Sequence, residues 1–217
     1  MSPVCVIFGL YLAFTAGLMF IRDRSRPSIG ALAAPASHFP RATLLLFVMI
    51  AAPTLFQISF PVILSALERD YARFLSGEWW RVITPLFVQD GGVAGSIFNL
   101  VSLLLVGAVS ERLWGSRRML VIFFGGGVVG EVVAFAWQPI GAGNSVGNLS
   151  LAASVAVTCL ARRAGRMTRA IALLALSADA VLVVLKDIHG AAALAGAILG
   201  LTLSPRAQSK GQKVETP

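Results

Sequence analysis

Three residues of this chain have the side chains of a nucleophile, a general base and an oxyanion stabiliser: Ser145, His189 and Asn99. A serine hydroxyl is a weak nucleophile until a neighbouring base takes its proton. The tetrahedral intermediate that follows needs hydrogen-bond donors for its oxyanion. His189 is suited to be the base, and Asn99 carries an amide donor. Gly141 and Gly143 ahead of Ser145 permit a tight turn that exposes the hydroxyl and aims backbone N–H groups, that of Ser145 included, at the developing charge. Each residue also has a plainer reading. Ser145 would serve as a helix N-cap, His189 as a solvated interfacial side chain beside Lys186 and Asp187, and Asn99 as an interhelical hydrogen-bond donor. Ser150 is the rival nucleophile, lacking a glycine two places before it. Glu131 and Asp179 read as structural partners of backbone groups or of arginine.

The elements that must position these residues are membrane spans. Of 217 residues, 57% are hydrophobic and 13% charged, with a mean hydropathy of +0.81. Soluble domains carry about 25% charged and about 45–50% apolar residues, so soluble, disordered, collagen-like and disulfide-stapled classes are excluded. One span takes about 20 apolar residues, which leaves room for about seven spans and no sizeable soluble domain. Lys and Arg number 18 against 10 Asp and Glu, a net charge of +8, and 15 of the 18 are Arg. These cations cluster at the ends of apolar runs, as cytoplasmic loops require, and form no basic stripe interleaved with aromatics. A lipid bilayer, and no nucleic acid, is the expected partner. Cys5 and Cys159 sit inside apolar runs, where cysteine behaves as a small hydrophobe. No disulfide, metal site or cofactor is expected.

The apolar runs predict spans at about residues 3–21, 42–66, 93–113, 119–137, 145–161, 170–185 and 189–203. Pro53 and Pro61 are expected to bend the second. The first is an anchor, because its arginines follow the apolar run, whereas a cleaved leader carries charge ahead of it. Residues 27–40 read as a cytoplasmic linker holding His38, residues 68–92 as an aromatic stretch lying in the interface, and the chain from Pro205 as a polar tail. Seven spans put the arginine clusters at 22–26, 112–118 and 162–169 on one side, with the N-terminus outside and the C-terminus inside. At about 1.5 Å per helical residue, Asn99, Ser145 and His189 then fall in the outer leaflet. The preference for Arg, Ala, Gly and Val suggests a bacterial cytoplasmic membrane.

At these residues the sequence resembles the rhomboid intramembrane serine proteases. GEWWRVITPLFVQ (77–89) is similar to the family's first-loop signature, with Trp80 and Arg81 as its WR pair, expected to anchor the loop in the interface. FNLVSLLLVGAVSERLWGSRR (98–118) resembles its second core helix, including Asn99 and the E-R-x-x-G run of Glu111, Arg112 and Gly115. GNS (143–145) is similar to the start of the GxSG motif, and HGAAALAGAILG (189–200) to the last helix with its GxxxG. Three positions depart from the pattern. Val146 follows the serine where the family has glycine, which would narrow the nucleophile's pocket. Gly95 replaces a histidine that supplies an oxyanion donor. Aligning the GxxxG puts the family's histidine at Ala193, one helical turn inward of His189.

The resemblance implies an all-α, polytopic protein in which residues 1–40 form an extra N-terminal helix and linker, residues 41–205 a six-helix core, and residues 206–217 a cytoplasmic tail. It implies cleavage of transmembrane protein substrates in or near the outer leaflet by a Ser145–His189 dyad without a third carboxylate. Asn99 and the Ser145 N–H would serve the oxyanion. The alternative is an inactive relative that binds transmembrane helices. A small transporter is disfavoured by the lack of an inverted repeat.

Overall fold

The computed structural model describes residues 3–25 and 39–203. With no water in the bilayer core, a backbone must satisfy its own N–H and C=O groups, and an apolar chain of this length does so as helices. Among the described residues, five helices are long and apolar enough to cross a membrane: α1 (Pro3–Ser25), α2 (Arg41–Ser59), α5 (Gly92–Trp114), α6 (Ser116–Trp137) and α8 (Arg166–Val184). Two shorter apolar helices, α7 (Ser145–Ala161) and α9 (Ile188–Thr202), complete an all-α, multi-pass membrane protein. The expected linker, apart from Phe39 and Pro40, and the expected tail lie outside the described residues.

The second span is shorter than expected. Pro53 sits inside α2, which continues through it to Ser59. The chain turns at Phe60 and Pro61, and a separate short helix, α3 (Val62–Leu67), follows. The aromatic stretch that comes next is a folded loop. A two-residue strand, β1 (Arg69–Asp70), pairs antiparallel with β2 (Ile140–Gly141), in the connection between α6 and α7. Helix α4 (Tyr71–Leu75) then stacks Tyr71 and Phe74 on Phe135 of α6. Arg81 is no interfacial anchor: it is buried, donates to the carbonyls of Ser65 and Glu68, and pairs with Glu78 at 2.7 Å. A guanidinium has five donors, so it ties α3 to the following 3-10 turns. Trp79 and Trp80 remain exposed.

Helix α7 is the axle of the bundle, packed against α9, α6, α1, α5 and α8. Small residues let the backbones touch, since apolar side chains gain no hydrophobic driving force inside lipid. A Cβ at Gly196 would fall 2.1 Å from the Ser150 carbonyl oxygen, and one at Gly200 would fall 2.8 Å from the Ser154 Cα. The expected GxxxG therefore seats α9 on α7. On the opposite side of the membrane from Ser145, Glu111 accepts hydrogen bonds from the Ala42 and Thr43 N–H groups, the Thr43 hydroxyl and the Ser116 hydroxyl. A helix start leaves free N–H groups and favours negative charge, so this carboxylate pins the start of α2 to the junction of α5 and α6.

Helix α1 buries Val6, Leu10, Ala13, Ala16 and Phe20, a one-sided helical stripe, against α8, α7 and α5. Gly9 faces Asp179 of α8 at close range, and Gly17 meets Val109 of α5 and Val155 of α7. Asp179 was expected to have a backbone or arginine partner. Its buried Oδ1 has no hydrogen-bond partner among the described residues.

Candidate active site

His189 is set by a very short connection. Leu185, Lys186 and Asp187 reverse the chain between α8 and α9, with Lys186 in the left-handed region at φ 53°. Gly190 makes the turn possible, because a Cβ there would lie 2.4 Å from the Val183 nitrogen. Asp187 is the N-cap of α9, accepting the His189 N–H on Oδ1 at 3.1 Å. The same oxygen lies 2.5 Å from His189 Nδ1. The other ring nitrogen, Nε2, lies 2.8 Å from Ser145 Oγ. The three side chains form one line of hydrogen bonds, Asp187–His189–Ser145, with His189 and Asp187 about 2% exposed. The solvated interfacial reading of His189 is therefore overturned.

The protonation pattern follows from the line. Burial pushes the Asp187 carboxyl up, but its interactions with His189, the ring hydrogen bond foremost, outweigh burial and hold the carboxyl below the usual range. An ionised carboxylate only accepts, so Nδ1 carries the hydrogen. Nε2 is then the acceptor and faces the serine O–H. The second Asp187 oxygen has no hydrogen-bond partner among the described residues, which leaves its charge to the ring and the α9 N-terminus.

Ser145 is the first residue of α7, and the N-cap position belongs to Asn144, whose side chain makes no capping bond. Its hydroxyl is not spent on the helix. Gly143, at φ +152°, precedes it, and a Cβ placed there would stand 3.4 Å from both Asn99 Nδ2 and Ser145 Oγ and 3.5 Å from Gln89 Oε1. A small cradle thus exists where the amide and the hydroxyl converge, and only glycine leaves it open. Asn99 Nδ2 donates one hydrogen to Gln89 Oε1 at 2.8 Å, and an amide nitrogen has two. Gln89 donates to Asn144 at 2.7 Å, Asn144 to Asn148, and Asn148 to the Asn99 carbonyl. This ring of amides fixes the Asn99 rotamer.

A cavity of about 430 Å³ joins these groups, with Ser145, His189 and Asn99 in its wall. One end is polar: buried Arg69 bonds Glu131 at 2.5 Å and the Gln138 carbonyl at 2.7 Å, so Glu131 has the structural arginine partner expected of it. Val146 packs beside Gly130 of α6 and does not line the cavity, so it does not narrow the serine's pocket. Ser150 is buried elsewhere, donating to the Ile122 carbonyl at 2.7 Å. Gly95 lines the cavity with nothing within 4 Å of a Cβ position, so no side chain replaces the missing donor there. Ala193, where the motif alignment puts a histidine, is buried one turn inward. Sequence reasoning missed two residues. Asp187 was dismissed as a neighbour of His189, although an Asp two places before a histidine at a helix start has the N-cap signature. Gln89 was noted only as the end of a motif, and no local signal pairs it with Asn99.

With Gly95 contributing no donor, Asn99→Ala is expected to lower cleavage at least about tenfold, roughly 1.4 kcal/mol of transition-state stabilisation. The measurement is kcat in detergent alongside a melting curve. Unchanged turnover would assign Asn99 to the amide ring alone.

Parts of the chain are similar to known proteins. A stretch of 71 residues is 37% identical to the rhomboid protease GluP of Bacillus subtilis, covering 33% of this chain and 14% of that protein. Another of 65 residues is 34% identical to the putative rhomboid protease YdcA of the same organism, covering 30% and 32%. A longer stretch, 126 residues at 27% identity, matches the rhomboid protease AarA of Providencia stuartii over 54% of this chain and 42% of that one. The matched part thus spans less than half the length of each of these relatives. Residues 76–207 match the Rhomboid domain model, which takes in α5 to α9 with most of the first loop, and the chain belongs to the rhomboid family.

Proposed function

We propose that this protein is an intramembrane serine protease that cleaves transmembrane substrates near the outer face of a bacterial cytoplasmic membrane. The observation that carries the reading is the 2.8 Å contact between His189 Nε2 and Ser145 Oγ, with Asp187 behind the ring. As Ser145 Oγ attacks the scissile carbonyl carbon, its proton passes to Nε2. The oxyanion forms in the cradle beside Gly143, facing the free Asn99 N–H and the Ser145 backbone N–H. Asp187 stabilises the imidazolium. Collapse of the intermediate breaks the C–N bond, and Nε2–H gives its proton to the leaving amine. Water, deprotonated by the same nitrogen, then hydrolyses the acyl-enzyme. The proposed mechanism thus uses a triad, not the dyad without a carboxylate expected from the sequence.

Labelling with a serine-directed fluorophosphonate tests the reading. The wild-type chain is expected to label and to cleave a reconstituted single-span reporter, and Ser145→Ala to do neither. A wild-type chain that neither labels nor cleaves would favour the helix-binding alternative, which the missing donor at Gly95 supports. Reporter fusions should place the N-terminus on the outer side, the side of Ser145 in this reading.

A further inference from the structure

We infer that the outer end of α1 is part of the substrate-binding surface, so that a membrane-embedded segment reaches Ser145 through a wedge between the first turns of α1 and α5. The hydrolysis at Ser145 rests on the protease reading above, whereas the docking does not require it.

The wedge follows from two contacts at different depths. Near their inner halves α1 and α5 touch: a Cβ at Gly17 would fall 2.5 Å from Val109 Cγ1. At the outer end the cavity lies between them. Pro3, Val6 and Ile7 of α1 and Gly95 and Phe98 of α5 line the cavity that holds Ser145 and His189, and a Cβ at Gly95 would meet nothing within 4 Å. Two helices in contact below, with the cavity between them above, leave room for a segment to enter beside Gly95. Glycine at 95 keeps it wide.

The chemistry of the cavity lining defines the partner. Its α1 and α5 residues are largely apolar, with Pro3, Val6, Ile7 and Phe98, while β1, α6 and the first loop contribute Arg69, Glu131 and Asp90. Burying apolar area yields about 25 cal/mol per Å² relative to water, and the polar lining rewards groups that hydrogen-bond. A chain lying across Ser145 fits if its residues on one side of the scissile bond are apolar and membrane-embedded and those on the other side are polar. That describes the outer border of a single-span segment. Ile7 is half exposed while also lining the cavity, so such a segment would reach it from the lipid.

Leu18, equally exposed on α1 but at the inner end and away from the cavity, provides the comparison. A diazirine-bearing residue is placed at position 7 or 18 in a Ser145→Ala chain. The chain is reconstituted in phospholipid vesicles with a biotinylated single-span peptide that has a Leu-Ala core and a Ser-Gln pair at its outer end. Irradiation is expected to capture the peptide at position 7 at least about tenfold more than at 18, and excess unlabelled peptide should compete it away. Equal capture at both positions, or capture at neither, would overturn the inference. In the active chain, Ile7→Trp is expected to raise KM for the same peptide at least about fivefold relative to Leu18→Trp, with kcat held. An unchanged KM would also overturn it. If the wild-type chain fails to cleave, the protease reading falls, and selective capture at position 7 still decides whether the wedge binds a transmembrane segment.

Discussion

His189→Ala is expected to abolish both cleavage of a single-span substrate and labelling by a fluorophosphonate, a loss of about 10⁴-fold or more in kcat. Removing one member of a serine–histidine pair costs nearly as much as removing the whole set, because the hydroxyl is inert without its base. The expectation is specific to this histidine. Nε2 stands 2.8 Å from Ser145 Oγ, within the reach a general base requires. Its ring is held on the far side by Asp187, and no other histidine lines the cavity among the described residues. Folding should survive, since the α9 cap depends on the His189 backbone N–H and not on its ring. Retained labelling in His189→Ala, at wild-type rate, would remove the base role.

Asp187→Asn is expected to lower kcat by about 10²–10³-fold with KM little changed. An asparagine keeps the N-cap acceptor, so helix α9 loses a few tenths of a kcal/mol to about 1 kcal/mol at most. The chemistry loses more, because the amide can donate to Nδ1. The hydrogen then moves to Nε2, which no longer accepts the serine proton. Asp187→Glu should recover part of the rate, as a structural cap alone would not require. Stability adds a second readout. The folded carboxyl lies below its ordinary range, so its stabilisation is present above the unfolded value of about 3.9 and is lost as pH falls through the lower folded value. The melting advantage of wild type over Asp187→Asn should therefore hold near neutrality and fade in acid. Equal kcat for the two proteins would return the site to a dyad.

Much of the architecture was legible because lipid imposes strict rules. An apolar run of about 20 residues has few options other than a helix, and arginine clusters orient it. The spans near α1, α5, α6 and α8 therefore follow from composition, and the ends of α7 and α9 from the polar residues that open them. The second span was over-extended because Pro61 reads as a bend on paper, while in space the chain turns at Phe60 and begins a new helix. Arg81 was misplaced for a similar reason. A Trp-Arg pair has interfacial composition, but the carbonyls of Ser65 and Glu68 that bury it come from a loop folded back on itself.

Residue type and order alone determined that this chain is a helical membrane protein of rhomboid pattern and that Ser145, His189 and Asn99 share one depth. Only the tertiary structure decided that Ser145 and His189 meet. The alignment of motifs put histidine one turn inward at Ala193, and nothing along the chain says that Ser145 itself stands correspondingly high. The match depends on how Gly196 and Gly200 slide α9 along Ser150 and Ser154 of α7, a register set by backbone contact between helices distant in sequence. The same holds for the Asp187 carboxylate on the ring, which requires the left-handed turn at Lys186, and for Gln89 on Asn99, which requires the first loop to fold over α5. Local periodicity reports which face of a helix is buried. It carries no information about axial offset between helices, and that offset decides whether two polar side chains are a catalytic pair or two capped ends.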